Sequence, residues 1–230
     1  MYSRQIADKT YTFEASGGLL HAGLVMQDRE TDSYWSIITE TAIHGEAQGQ
    51  GLRKLSGAVK TTWGDWRRQY PHSKVLSVDG VEHVETNPYS NYFASDGTFR
   101  DLGSHDERLP AKEQIFVFHR DGRAHAVPHR SFLGGALVSL GDRTLFVHRA
   151  KDDALYRSTA AFLLRDGVKV ERQGGSFLAS MGETSASWNV VDRRFDGGEG
   201  LFESFEGFDT FWYIWSNTNP NSEILEGNAP

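Results

Sequence analysis

An acidic segment near the N-terminus carries the residue types that sugar binding and acid–base chemistry require. In the stretch DRETDSYW, carboxylates alternate with hydroxyl groups, and a tryptophan follows. A carboxylate beside hydroxyls and an aromatic ring can bind a sugar or transfer a proton. The candidate ligand-binding residues here are Asp28, Glu30, Thr31, Ser33 and Trp35. In a strand, Asp28 and Glu30 would share one face with Asp32, and the hydroxyl residues and Trp35 would lie on the other face.

A second segment of this kind lies towards the C-terminus. ETSASW places Glu183 and Thr184 before Trp188, much as ETDSYW places Glu30 before its tryptophan. Glu30 and Glu183 are therefore the candidate catalytic acid or base, and Glu183, Thr184 and Trp188 extend the candidate ligand-binding set. For the first segment we favour a structural interpretation, in which a polar turn capped by Thr and Asp holds a tryptophan in the core.

Three histidines in HRDGRAHAVPHR raise the question of a metal site. If residues 120–123 form a hairpin turn, His119 and His125 lie near each other across two strands. Zinc or iron would need three convergent His or carboxylate ligands. Pro128 breaks any helical pairing of His125 with His129, and no H-E-x-x-H motif occurs. We therefore expect a surface hairpin rather than a metal site, with His119 and His125 as the only metal candidates.

Composition excludes several classes of site. The chain has no cysteine, so disulfides, thiolate metal sites and cysteine nucleophiles are absent. Neither a G-x-S-x-G nucleophile motif nor a phosphate-binding glycine loop is found. The net charge of −7 argues against a nucleic-acid partner, and no apolar run is long enough for a membrane span. The expected partner is an unidentified small molecule or protein, and the sequence identifies no cofactor.

The elements that must position these residues are mostly short strands. Runs rich in β-branched and aromatic residues alternate with glycine-containing turns, which favours a mainly β fold, all-β or α+β. The predicted strands are 10–15, 23–28, 33–38, 74–78, 114–119, 144–149 and 160–164.

Two short helices are predicted from a pattern that occurs twice. TTWGDWRRQYPHSKVL (61–76) and TFWYIWSNTNPNSEIL (210–225) share six of 16 positions, including both tryptophans and the proline. Tryptophans three residues apart lie on one face only in a helix. We interpret both pairs as core packing, each covering its own sheet; stacking on a sugar ring or base is the alternative. Thr62 with Asp65 resembles a capping box, and Asp209 or Thr210 is expected to cap the second helix.

The repeated pattern predicts an internal duplication within one compact domain, 1–230. The first unit spans 1–79, a middle segment 80–154 and the second unit 155–226. The fold is then two pseudo-symmetric β units, each with a short Trp-bearing helix. Ligand pockets favour such interfaces, so we expect the site at the junction of the two units.

The same residues resemble a family of unknown function, the DUF3179 proteins. The resemblance rests on FEASGGLLHAGLVMQDRETDSYWS, AIHGEAQGQGL, TTWGDWRRQYPHSKVLS, KEQIFVFHRDGRAHAVP and FWYIWSNTNPNSEIL, which follow in order along most of the chain. It implies a fold and a repeat but no activity. Members usually carry a Cys-Pro-x-Cys segment just upstream of the point where this sequence begins, so we expect a trimmed or shortened member.

Two classes of function follow. The first is a ligand-binding or interaction module with its site at the junction; a scaffold for a partner protein is a variant of it. The second is an enzyme, a hydrolase or metal-dependent catalyst, that uses Glu30 or Glu183 as acid or base. The absence of a recognisable nucleophile favours binding. No signal peptide is visible at the start of the sequence, and the sequence does not indicate a compartment.

Overall fold

The computed structural model of the chain describes residues 1–55, 58–76, 89–153 and 157–230. Within them the chain forms four four-stranded sheets and one two-stranded hairpin, with short helices between. The prediction of a mainly β fold is therefore confirmed. No helix among the described residues has the length and apolar character needed to cross a membrane.

The regular elements are numbered in chain order. The strands are β1 (Gln5–Ile6), β2 (Lys9–Thr10), β3 (Phe13–Leu20), β4 (Gly23–Asp28), β5 (Tyr34–Ser36), β6 (Thr41–His44), β7 (Gln114–Arg120), β8 (Arg123–Pro128), β9 (Ala136–Ser139), β10 (Thr144–His148), β11 (Ala160–Leu164), β12 (Lys169–Gln173), β13 (Ser176–Met181), β14 (Thr184–Asn189), β15 (Arg194–Gly197), β16 (Phe202–Ser204), β17 (Phe208–Phe211) and β18 (Glu223–Ile224). The α-helices are α1 (Trp63–Gln69), α2 (Ser90–Ala94) and α3 (Trp212–Thr218), and 3-10 turns cover Phe99–Asp101 and His129–Ser131.

Two of the sheets are antiparallel meanders with strands in chain order. The first sheet is β3-β4-β5-β6, and the second sheet is β12-β13-β14-β15. Each buries one tryptophan on its third strand, Trp35 in the first and Trp188 in the second. Trp35 packs edge-on against Tyr11 at 5.4 Å between ring centroids, and Trp188 packs against Phe146 at 5.2 Å.

The other two sheets combine distant parts of the chain. The central sheet has the order β16-β11-β10-β9. Strands β9, β10 and β11 are neighbours in chain order, and β16, from much later in the chain, pairs with the edge of β11. In the C-terminal sheet, β17-β7-β8-β18, the β7–β8 hairpin lies between two strands from the end of the chain. Strand β17 is antiparallel to β7, whereas β18 is parallel to β8.

The central sheet separates two hydrophobic cores. Because side chains alternate along a strand, Leu145 and Val147 face one side of β10 and Phe146 faces the other. Leu145 and Val147 pack in a cluster with Phe116 and Phe118 of the C-terminal sheet. Phe146 packs with the tryptophan of the second sheet. The three sheets therefore stack as layers with the central sheet in the middle.

Helices form at both copies of the Trp-x-x-Trp pattern, as predicted, and α1 has the predicted cap. Thr62 Oγ1 accepts a hydrogen bond from the Asp65 backbone N–H at 3.1 Å. The cap predicted for α3 is wrong, because β17 continues to Phe211 and neither Asp209 nor Thr210 reaches the helix N-terminus. The first N–H groups of α3 donate instead to the backbone carbonyls of residues 113 and 111.

Two other predictions differ from the structure or lie partly outside it. Residues 74–76 form no strand, and the rest of the strand predicted at 74–78 lies outside the described residues. The unit boundaries at 79–80 and 154–155 lie outside them as well. The division into 1–79, 80–154 and 155–226 therefore stays a prediction.

Candidate functional site

The first acidic segment forms a closed polar turn inside the first sheet. Asp28 ends β4 with its side chain fully buried, and it accepts hydrogen bonds from Trp35 Nε1 at 2.7 Å and Thr31 Oγ1 at 2.9 Å. Thr31 also bonds Ser33, whose Oγ accepts the backbone N–H of Ala47 at 3.0 Å. Burial raises the pKa of Asp28, but the bonds from Trp35 and Thr31 outweigh it and the pKa is lowered.

The predicted alternation of faces in this segment is wrong. Strand β4 ends at Asp28 and β5 begins at Tyr34, so the residues between them turn instead of continuing the strand. Asp28 and Trp35 consequently bond each other instead of lying on opposite faces. Glu30 is exposed at this turn, and its carboxylate accepts the backbone N–H of Thr12 at 2.7 Å, which lowers its pKa.

The second acidic segment lies in a different sheet. Glu183 and Thr184 are exposed where β13 turns into β14, and Trp188 is buried beneath the second sheet. Among the described residues, no hydrogen bond or ion pair joins this set to Asp28, Glu30 and their neighbours. Each sheet thus holds its own half of the predicted ligand-binding set.

The two histidines considered as metal ligands, His119 and His125, lie in separate environments. His119 opposes Ala124, and His125 opposes Phe118, so their side chains lie on opposite faces of the β7–β8 hairpin. The ring of His119 lies tilted against Trp215 at 4.9 Å between centroids, and the ring of His125 stacks on Phe118 at 5.0 Å. Burial lowers the pKa of His125. No group of three or more metal-ligating side chains occurs in the part of the chain that the structure describes.

The two Trp-x-x-Trp helices differ in burial. Trp212 and Trp215 of α3 are 0% exposed, in a core with strands β7 and β8. Trp63 and Trp66 of α1 are 45% and 37% exposed. Trp66 donates its Nε1–H to Ser73 at 2.9 Å, and its ring lies 4.3 Å from the ring of Tyr70. An aromatic surface therefore remains open on α1.

Ionic contacts attach α1 to the second half of the chain. Asp65 of α1 pairs with Arg157 at 3.1 Å, and Arg157 pairs with Asp153 at 3.0 Å. Asp153 in turn pairs with Arg193 at 3.1 Å. A backbone hydrogen bond also joins these regions: the N–H of Ser158 donates to the Lys60 carbonyl at 2.9 Å. These contacts bring residues of both predicted units together.

A groove runs beside these contacts. We call it the α1 groove and define it by Lys60, Trp66, Tyr70, Arg157, Arg193 and Arg194. Its volume is about 270 Å³, and an adjoining cavity of about 410 Å³ shares Tyr70 and Arg194 with it. Aromatic rings and guanidinium groups thus line one concave surface.

Cationic side chains outnumber carboxylates in the lining of the α1 groove. Among the described lining residues, four are cationic and one, Asp192, is a carboxylate. The Nε atoms of Arg157 and Arg193 are buried without a hydrogen-bond partner among the described residues. Burial lowers the pKa of Arg193, although the carboxylate of Asp153 opposes this shift. An anion in the groove would supply acceptors for these two Nε–H groups.

No local pattern in the sequence indicates the α1 groove. Arg193 and Arg194 occur as VDRRF in a turn, where basic residues are usually solvated, and Arg157 lies far from both in the chain. The Trp-x-x-Trp pattern correctly predicted α1, but the core packing expected for both tryptophan pairs is wrong for α1, whose tryptophans are largely exposed.

Comparison with known proteins adds a family but no activity. None of the curated proteins and none of the solved structures compared with the chain is similar to it. The family model described as "Protein of unknown function (DUF3179)" matches residues 1–222. The match spans both acidic segments, the α1 groove and α3, so the chain belongs to the DUF3179 family.

Proposed function

We propose that the chain is a ligand-binding module whose site is the α1 groove, at the junction of its two predicted units. The ligand in this proposal is a small molecule that carries a planar ring and an anionic group. The observation that carries the proposal is the exposure of Trp66 and Tyr70 beside three arginines. The matching face of α3 is fully buried, so exposure is not inherent in this type of helix.

The ring of the ligand is assigned to Trp66 and Tyr70. Both rings are large and partly exposed, at 37% and 52%, and aromatic faces favour planar ligands. Their mutual contact and the Trp66–Ser73 hydrogen bond fix their orientation before a ligand arrives. A preorganised aromatic surface loses less conformational entropy on binding.

The anionic group of the ligand is assigned to the arginines. Arg194 is exposed, where it pairs with Asp192 and Asp196. The Nε atoms of Arg157 and Arg193 are buried without a partner in the part of the chain that the structure describes. Guanidinium groups bind carboxylate and phosphate through paired hydrogen bonds. Lys60 adds a further cation at the same surface.

An enzyme that uses Glu30 or Glu183 as acid or base has less support. The Glu30 carboxylate is already an acceptor for the backbone of Thr12, and its pKa is lowered rather than raised towards neutrality. Glu183 lies exposed in the β13–β14 turn, without a hydrogen-bonding partner among the described residues. Catalytic acids are normally buried or paired in a cleft, which neither residue is.

Titration calorimetry tests the proposal with adenosine monophosphate and 4-nitrophenyl phosphate, which join a ring to an anion, and with adenosine and inorganic phosphate as half-ligands. We expect the joined probes to bind and each half-ligand to bind at least tenfold more weakly. Tyr70→Ala and Arg194→Gln should each weaken binding about tenfold, because each removes one of the two contacts.

Matched controls are Tyr34→Ala and Arg123→Gln, which remove an exposed tyrosine and an exposed arginine far from the α1 groove in the chain. Both should bind the probes as the parent protein does. No heat with either joined probe at millimolar concentration would contradict the proposal. Equal losses in the groove variants and in the controls would contradict it as well.

A further inference from the structure

A second cavity, of about 610 Å³, shares no lining residue with the α1 groove. It lies between the segment 110–114, the 3-10 turn after β8 and the segment 149–153. We call it the His129 cavity and define it by Glu113, His129, Arg130, Leu133, Arg149 and Lys151. Two of these side chains, those of His129 and Arg149, are more than nine-tenths buried.

His129 is held in one orientation. Its Nε2 lies 2.8 Å from Asp209 Oδ1, with the two side chains 8% and 5% exposed. Its ring packs edge-on against Phe132 at 5.4 Å between centroids. Asp209 accepts two further hydrogen bonds from Thr159, through its backbone N–H at 2.8 Å and through its hydroxyl.

The charge of Asp209 fixes which nitrogen of His129 is available. Burial raises the pKa of Asp209, but the hydrogen bond and charge of His129 and the bonds from Thr159 outweigh it, so the pKa is lowered. Asp209 is therefore a carboxylate that accepts from Nε2–H of His129. In a neutral His129 the proton then lies on Nε2, and Nδ1 is the nitrogen that can accept one; Nδ1 has no hydrogen-bond partner in residues 1–55, 58–76, 89–153 and 157–230.

The charged groups around the His129 cavity favour an anion. Its carboxylates are largely neutralised, since Glu113 pairs with Arg130 at 2.5 Å and Asp153 pairs with two arginines. Asp96 lies at the edge, and Lys112 donates to the backbone carbonyls of residues 92 and 95. Arg149, besides pairing with Asp209 at 3.6 Å, lines the cavity with Lys151.

We propose that the His129 cavity binds an oxyanion, a phosphate or carboxylate group, and that His129 takes up a proton at Nδ1 as the anion binds. A proton from solvent forms the new N–H bond with the lone pair of Nδ1. That N–H then donates to an oxygen of the anion, while Nε2–H continues to donate to Asp209. Lys151, which lines the cavity, supplies the neighbouring positive charge. The buried Asp209 carboxylate stabilises the imidazolium that forms.

Calorimetry with sulfate tests this directly, because sulfate does not itself titrate near neutral pH. The titration is done in Tris and in Hepes, whose ionisation enthalpies differ. We expect different heats in the two buffers, corresponding to uptake of up to about one proton per anion bound. Equal heats in the two buffers, or no binding at millimolar sulfate, would refute the proposal.

Variants distinguish the His129 cavity from the α1 groove. His129→Gln should bind sulfate at least tenfold more weakly and take up no proton, whereas His105→Gln, a change at an exposed histidine, should match the parent. Arg194→Gln should leave proton uptake unchanged, so failure at one site is separable from failure at the other. If His129→Gln does not fold, the ring NMR signals of His129 in the parent protein decide: sulfate should shift them as Nδ1 gains its proton, and unchanged signals overturn the proposal.

Discussion

Helices α1 and α3 have the same local geometry in different surroundings. Each begins at the first tryptophan of its Trp-x-x-Trp pattern and runs for seven residues. Their capping residues, Tyr70 and Asn219, share φ −127° and have ψ of 72° and 71°. Yet both tryptophans of α3 are fully buried, and both tryptophans of α1 are exposed.

The difference comes from what lies beneath each helix. Helix α3 follows β17 and packs on the β7–β8 hairpin, with Ile115, Val117 and Ala126 against its tryptophans. Helix α1 is attached through Asp65 to Arg157 and through Gln69 to Asp192 at 3.1 Å. The same helix is therefore a core element in one place and a polar-anchored surface element in the other. Sequence pattern determines the helix, and its non-local neighbours determine its role.

The largest expected effect is on stability. Trp212→Ala removes a fully buried ring from the core under α3, so we expect the free energy of unfolding to fall by about 3–5 kcal/mol. Trp63→Ala removes an exposed ring from the matching position of α1 and should cost less than about 1 kcal/mol. Urea unfolding of both variants measures the difference. Similar losses in the two variants would mean that the tryptophans of α1 are also packed in the protein in solution.

The core tryptophans of the two meander sheets, Trp35 and Trp188, differ in their polar contacts. Trp35 donates to Asp28, whereas Trp188 has no acceptor for its Nε1–H among the described residues, and its ring lies tilted against His148 at 4.8 Å between centroids. Burial, with a smaller contribution from the charge of Arg193, lowers the pKa of His148 to about 4.

The sign of the pH dependence follows from these shifts. Between about pH 6.5 and pH 4 the unfolded chain binds a proton at His148 and the folded chain does not, so stability falls as pH falls through this window. The loss from His148 should be roughly 2 kcal/mol between pH 7 and pH 5. His148→Phe should remove this part of the dependence, as measured by urea unfolding at both pH values. Asp28 also stabilises the folded chain, because its pKa is lowered on folding; this stabilisation should disappear only at more acidic pH. A variant that keeps the full dependence would show that His148 is not its source.

The smallest expected effect concerns the serines that follow the two helices. Ser222 is buried, and its hydroxyl donates to the Asn219 carbonyl at 2.7 Å, whereas Ser73 accepts from the partly exposed Trp66. Ser222→Ala should destabilise the protein by about 1 kcal/mol, and Ser73→Ala by less than about 0.5 kcal/mol. Thermal unfolding compares the two variants, and a larger loss for Ser73→Ala would reverse the assigned roles of the helices.

Local features of the fold were predictable from the sequence. Strands β4 and β11 have the predicted bounds of 23–28 and 160–164, because apolar runs between glycine turns define them. Both helices were predicted from tryptophans three residues apart, and the α1 cap from Thr62 and Asp65. These signals act over a few residues, so one sequence is enough to find them.

The sites depend on contacts that no local pattern records. His129 meets Asp209 from 80 residues away, and Asp65 meets Arg157 across a similar interval. Asp209 was predicted as a helix cap because it precedes α3, but strand pairing of β17 with β7 turns its side chain towards His129 instead. The roles of Glu30 and Glu183 stay predictions.

The strand order of the C-terminal sheet has a consequence for synthesis. The β7–β8 hairpin is strongly apolar, with Ile115, Phe116, Val117 and Phe118 all buried in the finished protein. Both of its flanking strands, and the helix that covers it, come from the last stretch of the chain. A ribosome adds about 5–20 residues per second, so the emerging hairpin waits several seconds for its partners. During that interval its two open edges are available to chaperones and to neighbouring nascent chains, and this hairpin is where aggregation during translation would begin.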